Sequence, residues 1–350
     1  MKKERLFYLD FVRAIAALAI VITHFNARYL YLNPPAPEKA VFITFIGNLY
    51  IGDWGVSLFF IISGAALMYV YEEKCQLKTF YKKRFLSIYP MFWIAYITDF
   101  LFIMWQTHTL PGEGIPKWRI LFSVIGFDGL LLTNGYPTFY LLGEWFLGVI
   151  VLIYLVFPLL RALLNKKPVL LLILTAVGYA GGLVLCTQVP YPLAPATLLF
   201  VRIPELVFGM FFVKYKGKVT WKTAALALAV VLVNWIVKPG FSASIQTTYV
   251  GITSFLVCVY VSNIVRCAPV EYICGKLSKY SYAVFLVHHV IIAKVMGKFN
   301  LTEISVGESY LLFMGVCCVI TLFAGILYLA HYFVMKGIAC MIQRVKSKVR

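Results

Sequence analysis

Residues 8–25, YLDFVRAIAALAIVITHF, decide the fold of this chain. With its flanks, the stretch is long and apolar enough to cross a hydrocarbon core as a helix. Yet it holds Asp10, Arg13 and His24. Arg13 and His24 are 11 positions apart, or three helical turns plus about 20°, so both lie on one face roughly 16 Å apart along the axis. Asp10 sits one turn before Arg13 on a neighbouring stripe. Ionisable groups at bilayer depth cost kilocalories each, and they usually line a polar cavity where chemistry or transport occurs. The plainer reading is an Asp10–Arg13 pair that satisfies only itself, beside a hydrogen-bonded structural His24.

The rest of the chain agrees with a membrane solvent. Of 350 residues, 62% are hydrophobic and 13% charged, and the mean hydropathy is +0.86. The apolar runs approach 20 residues, unlike the alternating ten-residue segments of an outer-membrane barrel. The expected fold is an all-α polytopic integral membrane protein, about ten transmembrane helices in one bundle. The expected spans are 7–30, 46–71, 85–106, 140–163, 168–186, 195–215, 221–238, 245–264, 278–297 and 309–335. Residues 118–134, with Asp128, Gly126 and Gly129 and with Gly135 following, are read as a re-entrant or interfacial helix. No second domain separates, so residues 1–350 are taken as one transmembrane domain.

Charge tests that count. With ten spans and both termini in the cytoplasm, 23 of the 32 Lys and Arg residues fall inside and 7 outside, as the positive-inside rule requires. A full span at 118–134 would invert everything after it and destroy the pattern. The net charge of +18 is therefore a topology signal that also suits anionic lipids of an inner leaflet. It gives no reason to expect nucleic acid. The eight cysteines show no C-x-x-C pair and no His at metal spacing, so free thiols and no metal are expected. The first span lacks a small-residue cleavage site and is not read as a removable signal peptide. The segment from 107 to 139 reads equally as a lid over an outer cavity or as a plain connection.

Further polar residues punctuate the spans. Gly52, Gly55 and Gly64 in the second span allow close helix packing. Lys82, Lys83 and Arg84 precede the third span, where they either snorkel or grip phosphate, with Arg84 bidentate. Pro90 removes a backbone bond one turn in and is expected to open the helix. Glu144 lies near the outer boundary beside Trp145, a residue of the aromatic belt. Arg202 and Glu205 are one turn apart within an apolar run, and mutual pairing is favoured over a substrate role. His288 and His289 sit at mid-membrane. Being adjacent, they point to different faces, so at most one is expected to meet the cavity of His24.

Taken in order, these stretches resemble the membrane-bound acyltransferase 3 family, which modifies cell-surface glycans and related acceptors. LDFVRAIAALAIVITHF resembles its opening helix, with Arg13 and His24 separated by ten residues. GVSLFFIISG, KRFLSIYP, LGEWFLGVIVLIYLVFPLL, RIPELVFGM and YSYAVFLVHH resemble its later signatures. The resemblance implies an O-acyltransferase of the inner membrane. It would move an acyl group, acetyl by expectation, from acyl-CoA to a hydroxyl of a cell-surface or lipid-linked glycan.

Acyl-CoA would be a co-substrate, with no tightly bound cofactor. His24 would be the catalytic residue, supported by Arg13 and Asp10. Arg84, Lys83 and Lys82 would hold the donor, and Glu144, Trp145, Arg202 and His288 would meet the acceptor. Two departures bear on donor handling: Ser87 stands where the family usually has a second arginine, and Ile150 where many members carry glutamate. At His24, general-base and nucleophilic chemistry both remain open. The rival class is a secondary transporter or glycan exporter using His24, Asp10 and Arg13 as a proton relay. The lack of an evident internal repeat counts mildly against it.

Overall fold

The computed structural model describes residues 4–142, 144–189 and 193–349, with the backbone alone at 342 and 344–349. Of the inside cations counted above, Lys2, Lys3 and Arg350 lie outside the described residues, as do the side chains of Arg344, Lys346 and Lys348. Helices dominate. In chain order they are α1 (Phe7–Leu30), α2 (Ile51–Tyr71), α3 (Leu77–Thr107), α4 (Ile120–Ile125), α5 (Asp128–Thr133), α6 (Glu144–Lys166), α7 (Pro168–Gln188), α8 (Leu199–Lys214), α9 (Trp221–Val237), α10 (Ala243–Ile264), α11 (Ala268–Met296) and α12 (Val306–Val349).

Ten of these occupy the ten expected spans. Among the described residues, seven are long and apolar enough to cross a membrane unaided. The other three are α8, with 16 residues, α9, with 17, and α11. Helix α11 carries Glu271, Lys276 and Lys279 in its first half.

Several boundaries differ from the sequence reading for local reasons. Residues 46–50 are not helical. They belong to a hairpin of β1 (Phe45–Ile46) and β2 (Leu49–Tyr50), antiparallel with Phe45 opposite Tyr50. Its turn residues Gly47 and Asn48 both have positive φ, as a two-residue turn between right-twisted strands demands. Helix α3 starts at Leu77, so Lys78, Lys82, Lys83 and Arg84 lie on its first turns and not in a loop. It continues unbroken through Pro90 to Thr107, contrary to the expected opening. Residues 118–134 form two six-residue helices, not one. The break falls at Gly126, whose φ of +75° ends α4 in the left-handed conformation.

The helix ends sort into two groups. Lys294 late in α11 donates to Gln106 late in α3, and His289, also late in α11, lies against Glu144 at the start of α6. Segment 107–142 therefore leaves the bundle and returns to it at one end. It is folded in place: Arg119 donates to the Pro137 carbonyl, and Tyr96 to Asp128 and to the Phe139 carbonyl. At the opposite end, Arg161 of α6 donates to the carbonyls of Tyr71 and Glu72, and Asn165 to that of Glu72. These bonds satisfy orphan carbonyls where α2 stops. Lys214 at the end of α8 reaches Asn165.

Helix α2 is the centre of the bundle, with 72% of its apolar window buried; α7, at 11%, faces outward. Helices α1, α8 and α10 surround α2. Glycine makes the closest approach possible. A Cβ at Gly64 would fall 2.0 Å from the Leu206 carbonyl oxygen of α8, and one at Gly209 of α8 would fall 2.0 Å from that of Ile61. The packing role expected of the α2 glycines is thus met at Gly64, and at Gly52 and Gly55, which abut Thr23 and Ala19 of α1. Membrane helices associate through such close backbone contact, because lipid offers no hydrophobic drive between helices.

Gly209→Ala should therefore cost about 1–3 kcal/mol of overpacking. Gly325→Ala, where nothing lies within 4 Å of the added atom, should be harmless. Thermal unfolding of the purified variants in detergent checks this, and equal midpoints would refute the glycine contact.

Candidate functional site

The packing of α1 along α11 places the chemistry. Both helices run the same way, so late residues meet late residues and early residues meet early ones. At the late end, the ring of His24 lies 4.9 Å from that of His288 and 5.1 Å from that of His289, both contacts edge-on. The expectation that only one of the two would reach His24 is thus corrected. Adjacent residues diverge by 100°, and His24 sits over the gap between them, so each ring covers one side of it. His288 is fully buried, whereas the side chain of His289 is 41% exposed.

Glu144 completes this group from α6. Its Oε1 lies 3.7 Å from Nδ1 of His289 and accepts a hydrogen bond of 2.7 Å from the Tyr140 hydroxyl. His24, Glu144 and His289 offer ligand atoms within 4.8 Å of one another, a set that could hold a metal ion. Spacing along the sequence does not reveal this set, because the three residues come from three separate helices. Nor does it single out Tyr140 or His289. Tyr140 precedes α6 in non-helical chain, so no periodicity ties it to Glu144.

Behind Glu144 stands the pair expected from sequence. Arg202 donates to Glu205 at 3.0 Å and to the Ala196 carbonyl at 2.9 Å, and both partners of the ion pair are fully buried. The guanidinium also lies 5.8 Å from the ring centroids of Trp145 and Phe60. Arg202 thus holds Trp145 from behind.

The early end of the seam carries arginine. Arg13 donates to Ser278 of α11 at 3.2 Å. Asp10 does not pair with Arg13 alone, because its carboxylate is bonded by Arg5, which also donates to the Gly275 carbonyl of α11. From sequence, Arg5 counts only as a topology residue. Arg13 interacts electrostatically with Asp10 and with Tyr154 of α6. Tyr154 in turn lies 5.5 Å under the guanidinium of Arg84, which is also within 6.0 Å of the rings of Tyr71 and Phe80.

Arg84 Nε is buried without a hydrogen-bond partner among the described residues. Lys82 and Lys83 are exposed and do not join this aromatic enclosure. Ser87 donates to the Arg84 carbonyl at 2.8 Å, and Ile150 is buried in the apolar core. Between the two ends, a void of about 10 Å³ is lined by Ala17 of α1, Phe59 of α2, and Ser281 and His288 of α11.

No solved structure matches this chain. An acyltransferase-domain family model matches residues 6–338. Over 320 residues the chain is 26% identical to "Acyltransferase MdmB" of Streptomyces mycarofaciens, covering 82% of this chain and 79% of that protein. The motif order, the helical membrane architecture and the match over nearly the full length lead to one conclusion: the chain belongs to the acyltransferase 3 family and is a membrane acyltransferase.

Proposed function

We propose that this enzyme takes an acetyl group from acetyl-CoA and delivers it to a hydroxyl of a cell-surface or lipid-linked glycan, working across the inner membrane with both termini cytoplasmic. The carrying observation is the α1–α11 seam. It has arginines at one end, histidines at the other and a narrow void between them. The family assignment sets aside the exporter reading.

In this proposal CoA phosphates dock at the arginine end. Arg84 offers a buried, unpartnered N–H there, and its planar fork suits phosphate. Lys82 and Lys83, exposed on the same helix, add positive charge to the approach. Arg13, held beside Ser278 and Tyr154, marks the entrance of the seam. The pantetheine arm then runs past Ala17 and Ser281, and the roughly 16 Å from Arg13 to His24 suits an extended, unbranched chain. The void is too small for it as it stands, so α1 and α11 must part slightly on donor binding.

The acceptor enters from the histidine end, against Glu144 and Trp145. Arg202 acts through Trp145, and Asp10 acts through Arg5 and Arg13.

At the thioester, the acceptor oxygen attacks the carbonyl carbon. The C–O bond forms, the C–S bond breaks, His24 takes the hydroxyl proton, and the CoA sulfur leaves and receives that proton. The base role is favoured over an acyl-imidazole because His24 is packed by rings on two sides. Receiving a proton needs no room, whereas an acyl group on nitrogen does.

Three outcomes test the proposal. His24→Ala should lower acetyl transfer by ~10²–10⁴-fold, the usual range for a general base, while CoA binding by the purified protein persists. Residual activity above about a tenth of wild type would be too high for that role. Arg84→Ala should weaken CoA binding in calorimetry, and Arg84→Lys should restore it only in part, because lysine lacks the planar fork. An unchanged affinity would leave Arg84 with packing alone. Dialysis against EDTA should leave transfer intact. A loss reversed by added zinc would instead make His24, Glu144 and His289 metal ligands.

A further inference from the structure

His288 is a buried polar group that the reaction as drawn does not use. Its Nδ1 lies 2.8 Å from the Phe285 carbonyl and 3.2 Å from the Val284 carbonyl, both on its own helix. A carbonyl oxygen only accepts, so Nδ1 must carry the hydrogen. In neutral imidazole the other nitrogen is then a bare acceptor. That atom, Nε2, is buried and has no hydrogen-bond partner among the described residues. A buried acceptor left unpaired is costly and calls for an explanation.

The polar groups near His288 are few. His24 interacts with it electrostatically from α1, Glu144 from α6 and His289 from α11 itself. Glu144, when ionised, is itself an acceptor and cannot donate to Nε2. His289, the neighbour on the same helix, keeps its ring centroid 6.4 Å away. Of the two other histidines His24 is the nearer, its ring edge-on at 4.9 Å. At that separation, rotation of the His24 ring brings one of its nitrogens within hydrogen-bond reach. Catalytic hydrogen bonds are often long before substrate binds.

We propose that His288 is the positioning residue for His24: its Nε2 lone pair takes the N–H of His24 and holds that imidazole in a single tautomer. The other nitrogen of His24 is thereby left unprotonated on the side of Glu144 and His289, where the acceptor hydroxyl arrives. His288 does not change protonation state. When His24 takes the hydroxyl proton, the new positive charge is shared across the N–H to His288, and the proton later leaves with the CoA thiol. The role replaces the substrate contact expected of His288 from sequence. It deepens the reading of His24 as base and rests on it.

Nitrogen-15 NMR of histidine-labelled full-length protein in detergent micelles reads tautomers directly and needs no acceptor. The chain has five histidines, and single substitutions assign their signals. In the wild type, His288 should show Nδ1–H with a bare Nε2, and His24 a single tautomer. His288→Phe, which keeps the bulk but has no acceptor, should give His24 mixed tautomers. His288→Gln, whose side-chain oxygen can stand near the place of Nε2, should restore one.

Transfer of labelled acetyl from acetyl-CoA into native membranes should follow the same order. kcat should fall at least ~10-fold in His288→Phe and recover in part in His288→Gln, while KM for acetyl-CoA changes little. A wild-type His288 protonated at Nε2 would overturn the proposal even if no variant folds. So would a His24 signal unmoved by His288→Phe. The reading of His24 as base fails separately, if His24→Ala retains transfer while the tautomers are as described.

Discussion

The lateral packing of α1 on α11 is the constraint on which the rest depends. Because the two helices run in parallel, one seam has two chemically distinct ends. Arg13 and Ser278 close one of them, and His24, His288 and His289 close the other. An antiparallel α11 would have set Ser278 toward His24 and the two adjacent histidines toward Arg13, so that neither end would hold one kind of group. The parallel pair needs the intervening chain to cross an odd number of times in between. It does so only because residues 107–142 fold back on the side they left.

The α2–α8 contact is the mechanical base of that seam. Gly64 and Gly209 let two backbones touch, which draws Arg202 and Glu205 into the interior as a bonded pair, with the second carboxylate oxygen of Glu205 left without a hydrogen-bond partner among the described residues. A buried ion pair of this kind contributes little net stability, but removing one partner strands the other. Its use here is placement. Arg202 lies over Trp145, and Trp145 follows Glu144 directly, so the α8 pair fixes the start of α6 against the histidines.

Much of this architecture is legible in the sequence. The ten expected spans each coincide with a helix, seven of them long and apolar enough to cross a membrane, since backbone in lipid must be internally bonded. The face shared by Arg13 and His24 follows from helical geometry alone, and the ordered motifs carry the family. What the sequence does not carry is lateral. Helical spacing says which residues share a face of one helix, but not which gap in a neighbouring helix that face covers. Spacing discounts His289 on that account, and it leaves Arg5 a topology charge although Arg5 holds Asp10. Helix ends shift where polar residues extend a helix beyond its apolar run, as at Lys78 and Glu271, because hydropathy reports the solvent and not the backbone.

At the histidine end, the proposed pairing gives His24 a neutral partner. A second carboxylate there, beside Glu144, would need its own compensation wherever it is ionised. Glu144 already has a compensating donor in Tyr140 and a nearby ring nitrogen in His289. In the proposed arrangement an imidazole acceptor orients His24 with no net charge. The orienting atom is supplied by the tautomer that α11's own carbonyls impose on His288. In that proposal the positive charge gained when His24 takes the proton is the one charge added to the site, and it is shared between the two rings, with Glu144 nearby.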